Sequence, residues 1–215
     1  VKIGRREFLK FIGLAVAGVA LDPLASVIRN QNYFVNQKLG FGFIVPDAWE
    51  VEAFGDFDYL RGKQRLSSFD SEFEREVVEE LSDGLAAIIK KYPGKDSDRF
   101  SPSITFFMSP NDVLEEFKSL DDFVDHSVSV FESVLTAYEC IEPPSRINAT
   151  NFEAIRFKAT FLFEHDYIDS LYIDDETWII NHGGTLYTLH MYDSPYNNED
   201  TSKEFIGFKE SLHIA

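Results

Sequence analysis

The sequence predicts an α+β domain, an antiparallel meander of strands with helices laid against it. Three observations point there. Ile155, Phe157, Ala159, Phe161 and Phe163 alternate with Arg156, Lys158, Thr160, Leu162 and Glu164, a period of two that only a half-buried strand explains. Two earlier segments, Ser71 to Tyr92 and Ser119 to Tyr138, carry apolar residues at helical spacing. Between two further strand-like runs lies Asn181-His182-Gly183-Gly184, whose Asn and Gly residues tolerate the positive φ of a hairpin turn.

Composition sets the frame. The chain has 215 residues, 44% of them apolar, with 21 Phe, 9 Tyr and 2 Trp, enough to fill the core of one sizeable domain and too much for a disordered chain. A single cysteine, Cys140, excludes a disulfide framework and a Cys-based zinc site. Twenty basic against 37 acidic residues give a net charge of −17, which argues against nucleic acid and anionic membrane as partners.

In chain order, the first segment reads as an address. Arg5-Arg6-Glu7-Phe8-Leu9-Lys10 resembles the twin-arginine export motif, with Arg5, Arg6, Phe8, Leu9 and Lys10 as its signal residues. The uncharged run Phe11 to Leu21 is the length of a signal-peptide h-region and falls short of the ~20 residues that span a bilayer. Residues 1–28 are therefore expected as a twin-arginine signal peptide and 29–215 as a single domain. Gly18-Val19-Ala20 offers small residues for cleavage, but no clean A-x-A follows. Both a cleaved leader and an uncleaved membrane anchor fit. Removing residues 1–28 leaves 16 basic and 35 acidic residues, a net charge of −19.

Past Arg29 to Asn32, read as a polar linker, Tyr33-Phe34-Val35 and Gly40 to Val45 read as short strands closed by a Pro46-Asp47 turn, and Trp49 and Val51 alternate with Glu50 and Glu52 as in a strand. Ser71 to Tyr92 reads as a helix through Phe73, Val77, Leu81, Leu85, Ile88 and Tyr92, ended by Pro93-Gly94. Gly84 weakens it, by about 1 kcal/mol relative to Ala, and marks a place for a break. Ser103 to Met108 is a strand. Ser119 to Tyr138 reads as a second helix with an S-x-x-D start at Ser119 and Asp122, followed by Pro143-Pro144. Three strands follow, 155–163, 170–180 and 185–192. A closing helix, Thr201 to Leu212, is buried through Phe205, Phe208 and Leu212.

Asn32-Tyr33 together with Leu39-Gly40-Phe41-Gly42-Phe43-Ile44-Val45-Pro46-Asp47-Ala48-Trp49 resembles the opening of the PsbP-like superfamily, which includes the extrinsic P subunit of photosystem II and many bacterial exported proteins. The later order, a strand, a long helix, three meandering strands and a helix ending Phe208-Lys209-Glu210-Ser211-Leu212, is similar as well. The resemblance spans most of residues 32–212. It implies an α/β/α sandwich around a central antiparallel sheet. Its motifs shape a hairpin and a core corner, and they transfer no ligand set.

No G-x-S-x-G, H-E-x-x-H, Walker or G-x-G-x-x-G pattern occurs. The five histidines are scattered, none at i,i+3 or i,i+4 from another, and each reads as a surface or satisfied residue. Acidic residues concentrate near the last hairpin (Asp169, Asp174, Asp175, Glu176, Asp193, Glu199, Asp200) without calcium-loop spacing, which reads as a solvated face. Tyrosines gather there too. Tyr167, Tyr172, Tyr192 and Tyr196, with Asp174, Asp175 and Glu176, are the candidate partner-binding surface, since Tyr is enriched at interfaces.

The expectation is an exported, non-enzymatic protein, placed in the periplasm or thylakoid lumen, that binds or helps assemble an extracytoplasmic protein complex. It has no catalytic residues, metal or cofactor, and touches a membrane only through an uncleaved leader. The alternative is an exported protein that binds a small ligand or metal, or a hydrolase, with its site between sheet and helices.

Overall fold

A computed structural model describes residues 27–30, 32–36, 39–51, 64–65, 85–92, 100–149, 151–165, 169–196 and 201–215. Residues 1–26 of the expected leader, positions 71–84 of the first expected helix, Tyr167 and residues 197–200 lie outside the described residues.

Twelve strands and two α-helices are described. The strands are β1 (Val27–Asn30), β2 (Tyr33–Asn36), β3 (Phe41–Ile44), β4 (Glu50–Val51), β5 (Gln64–Arg65), β6 (Leu85–Lys90), β7 (Ser103–Pro110), β8 (Thr136–Asn148), β9 (Glu153–His165), β10 (Leu171–His182), β11 (Thr185–Asp193) and β12 (His213–Ile214). The helices are α1 (Leu120–Val134) and α2 (Ser202–Ser211). An antiparallel sheet runs β4-β6-β7-β11-β10-β9-β5, with β8 also paired to β9, and a four-stranded antiparallel sheet runs β1-β2-β3-β12.

The architecture is α+β, as expected: the large sheet is covered on both faces. One face meets α2 and the small sheet through Phe34, Phe41, Phe43, Phe106, Trp178, Leu189, Phe208 and their neighbours. The Phe34 and Phe43 rings stack at 4.8 Å, Phe41 meets Phe106 at 4.5 Å and Phe43 meets Phe208 at 5.0 Å. The other face meets α1 through Phe123, Val124, Val130, Val134, Ile155, Phe157, Ile179 and Leu186. Strand alternation makes this division: in β10, Trp178 and Ile180 face the small sheet while Ile179 faces α1.

Most expected elements stand. The β2–β3 pair is closed by the Pro46-Asp47 turn, where Trp49 N–H donates to the Pro46 carbonyl at 3.0 Å and the Trp49 ring is buried. The Ser119 hydroxyl caps α1 by accepting from Asp122 N–H at 3.1 Å. The last hairpin turns on Gly183 and Gly184, both at positive φ (60° and 82°), as a two-residue turn between twisted strands requires.

Three expectations are corrected. Leu85 to Lys90, read as the C-terminal part of the first helix, is strand β6, between β4 and β7 in the large sheet. Ala86, Ala87, Ile88 and Ile89 are all buried because both faces of β6 are covered, so the apolar run has no period of its own. The second helix stops at Val134. Leu135 is extended, Ala137 has φ 51°, and Thr136–Asn148 continues as β8, where pairing with β9 satisfies the backbone that a longer helix would have satisfied internally. Arg29 and Asn30, read as linker, are paired in β1 against Phe34 and Tyr33.

Candidate functional site

The β10–β11 hairpin carries every described candidate side chain but Tyr196, which lies just past it, and its register decides where each one goes. The Gly183-Gly184 turn pairs His182 with Thr185 and hence Asp175 with Tyr192, Thr177 with His190 and Asp174 with Asp193. Because neighbours along a strand point to opposite faces, the expected Tyr-and-acid surface is divided into two sites.

The first lies at the open end of the hairpin. Tyr196 is 69% exposed and Tyr172 39% exposed. Ser194 joins them: its hydroxyl donates to the Tyr172 carbonyl at 3.0 Å and accepts from Tyr196 N–H at 3.4 Å. Asp174 stands opposite Asp193 in the same register. Burial, reinforced by the Asp193 carboxylate, holds the Asp174 carboxyl above the usual aspartate range, against a hydrogen bond from Thr160 and the field of Lys158. Asp193 itself accepts from Ser194 N–H at 2.7 Å and from the Thr201 hydroxyl.

Glu176 does not belong to that surface. It points under α2, where its Oε1 accepts from Trp178 Nε1 (2.8 Å), Arg156 Nε (3.0 Å) and Lys209 Nζ (3.1 Å). Burial alone would raise its carboxyl, but Lys209, the Trp178 hydrogen bond and Arg156 outweigh that and hold it below the usual glutamate range. Arg156 and Lys158 continue to Glu142 on β8, so one ion-pair set ties β8, β9, β10 and α2 together.

The second site is on the α1 face. Asp175 is 8% exposed, His190 7% and Thr177 0%, so Asp175 is no surface residue. The Thr177 hydroxyl donates to Asp175 Oδ2 at 2.9 Å, and His190 Nδ1 lies 3.0 Å from both that oxygen and Thr177 Oγ1. The carboxylate only accepts and the single hydroxyl proton is already committed to it. His190 Nδ1 therefore carries a proton, shared between the two oxygens, and Nε2 is the basic atom of the neutral ring. Tyr192, half-buried, stacks on this ring at 5.4 Å and 3°, and Phe107 and Phe131 meet it edge-on. An aspartate that fixes an imidazole tautomer is an arrangement shared by acid–base sites and by inert buried networks.

His190 and Thr177 were not candidates from sequence, since residues 13 apart look unrelated. The signal was present in the glycine pair: a two-residue turn at 183–184 fixes every partner along the hairpin, including Thr177 and His190. Among the described residues no three His, Cys, Asp or Glu side chains converge as a metal site, and no helix is long and apolar enough to cross a membrane.

The chain matches no family model and no curated protein. Among solved structures it is similar to the cyanobacterial PsbP protein (CyanoP) of Synechocystis, with 13% identity, TM-score 0.45, 94% of this chain and 98% of that one covered. It is similar to LpqN of Mycobacterium tuberculosis, described as involved in cell envelope biogenesis, with 13% identity, TM-score 0.41 and coverages of 81% and 83%. A structure from Bacteroides thetaiotaomicron aligns over 82% of this chain with 10% identity and TM-score 0.39, and there the chain spans 45% of the other's length.

Proposed function

We propose that this chain is an exported, non-enzymatic domain of PsbP-like type that docks on an extracytoplasmic protein through the end of the β10–β11 hairpin. One observation carries the reading: Tyr196 and Tyr172 are both exposed and their backbones are tied through Ser194, next to an acid pair whose Asp174 is already held above its usual range. Two exposed amphipathic rings on a hydrogen-bonded backbone offer contact area to a partner, and the repulsion between Asp174 and Asp193 is relieved by a cation the partner brings. The net charge of −17 favours the same basic partner surface. The resemblance of residues 32–212 to exported PsbP-like domains and the Arg5-Arg6 leader support the compartment.

The test is a photo-crosslinking residue at position 196 of the full chain in cells that export it. The expected outcome is one discrete adduct, lost in Tyr172→Ala and absent when the crosslinker replaces the exposed Ile206 on α2 instead. Tyr196→Ala is expected to change stability by less than about 0.5 kcal/mol. Equal labelling from both positions, or none, defeats the reading. The second reading, a small-ligand-binding protein or hydrolase, is favoured by the Asp175–Thr177–His190 set alone.

A further inference from the structure

Two buried polar atoms on the α1 face have no hydrogen-bond partner among the described residues and lie within each other's field. Asp175 uses Oδ2 for Thr177 and His190, while its Oδ1 is buried and unpartnered. The Tyr138 hydroxyl is likewise buried and unpartnered. Burial holds that phenol far above its ordinary range, and the Asp175 carboxylate adds to the effect along with Cys140 and Glu132. Carboxylate and phenol are thus neighbours without touching.

Backbone and register place β9 between the two strands that carry them. Cys140 on β8 and Asp175 on β10 are both paired with Ala159 on the intervening β9, and this alanine is fully buried. A methyl group is all that fills the row between them. Tyr138 lies two residues before Cys140 in a disturbed strand start: the β8–β9 register shifts between Thr136 and Glu139, and Ala137 sits in the left-handed region at φ 51°. Bulges of this kind re-aim a side chain, and a non-glycine residue stays in that region only when its surroundings hold it there. Phe131 of α1, with its ring 6.1 Å from Tyr138 and 6.4 Å from His190, roofs the space.

We propose that Tyr138 Oη and Asp175 Oδ1 together hold one compact hydrogen-bond donor, a water molecule or an ammonium ion, between β8 and β10. Such an occupant donates to Asp175 Oδ1 and bonds the phenol oxygen, giving both buried atoms the partner they otherwise lack. It extends the Asp175–Thr177–His190 set into one continuous polar chain from β8 to β11. This inference is independent of the docking reading.

The experiment is a high-resolution crystal structure of the full chain and of Tyr138→Phe, which keeps the ring and removes only the hydroxyl. An ordered peak within about 2.6–3.2 Å of both atoms is expected in the natural protein, and its loss or displacement in the variant. Melting in ammonium chloride against sodium chloride at equal ionic strength then separates the occupants. A higher Tm in ammonium that Tyr138→Phe abolishes assigns ammonium, and equal Tm values with the peak present assign water. A natural-protein map with no peak there, whether Tyr138 Oη bonds Asp175 directly or the space is dry, overturns the proposal whatever the variant does.

Discussion

The two faces of the large sheet are built from the same strands and do different things. Toward α2 and the small sheet, β10 and β11 send Trp178, Ile180, Tyr187, Leu189 and Met191 into an aromatic core, with the charged Glu176–Arg156–Lys209 set at its margin. Toward α1 the same strands send Asp175, Thr177 and His190 into a layer otherwise made of Phe123, Val124, Phe157 and Ile179. The aromatic face holds the fold by area. The α1 face keeps buried polar groups that are costly to bury and that a core of the same size does not need.

The sharpest way to break this contrast is to remove a ring from the aromatic face. Phe43 is fully buried, stacked on Phe34 and packed at a tilt against Phe208, so Phe43→Ala is expected to cost about 3–5 kcal/mol in urea unfolding. A loss near 1 kcal/mol would show that the small sheet is not part of the cooperative core.

On the α1 face, Asp175→Ala strands the His190 and Thr177 groups and is expected to cost about 3 kcal/mol. The triple change Asp175→Val, Thr177→Val, His190→Leu is expected to cost less than that single change, because it removes the polar groups together. A triple variant as damaged as the sum of its parts would make the set an ordinary stabilising network and erase the distinction between the faces.

The smallest effect concerns the margin of the aromatic face. Glu176→Gln is expected to lose about 1 kcal/mol at pH 7. Because the folded carboxyl is held below its unfolded range, its contribution is complete above about pH 4.3 and disappears as the pH falls through the folded value. Unfolding curves for the natural protein and the variant are therefore expected to converge at low pH. A constant gap across the range would show that Glu176 acts through packing and not through charge.

How much of this was legible depended on whether a segment kept a period. Strand β9 has one solvent-side and one core-side register and was readable residue by residue. Strand β6 is covered on both sides, so its apolar run fits a helix as well as a strand, and only the adjacent Ile88 and Ile89 and the break expected at Gly84 hinted otherwise. Strand β8 was hidden by Pro143 and Pro144, which read as the end of a helix. Proline is tolerated at a sheet margin, and among the described residues β8 has β9 as its one strand neighbour. Tyr172, Asp174, Asp175, Glu176 and Tyr192 lie on the last hairpin, but clustering in sequence cannot divide neighbours between two faces. Asp175 and Glu176 are adjacent in the chain and finish on opposite sides of the sheet.

Those two prolines have a consequence for how copies of the molecule meet. A bare strand margin invites the backbone of a second chain to zip onto it, and repetition of that contact grows a fibre. Along Thr136–Asn148, an incoming strand would find an outward amide donor missing at the Pro143-Pro144 pair, near the middle of the strand. The ladder is interrupted at that point, so the margin that carries Ile141 to the outside is poorly suited to recruit its own kind.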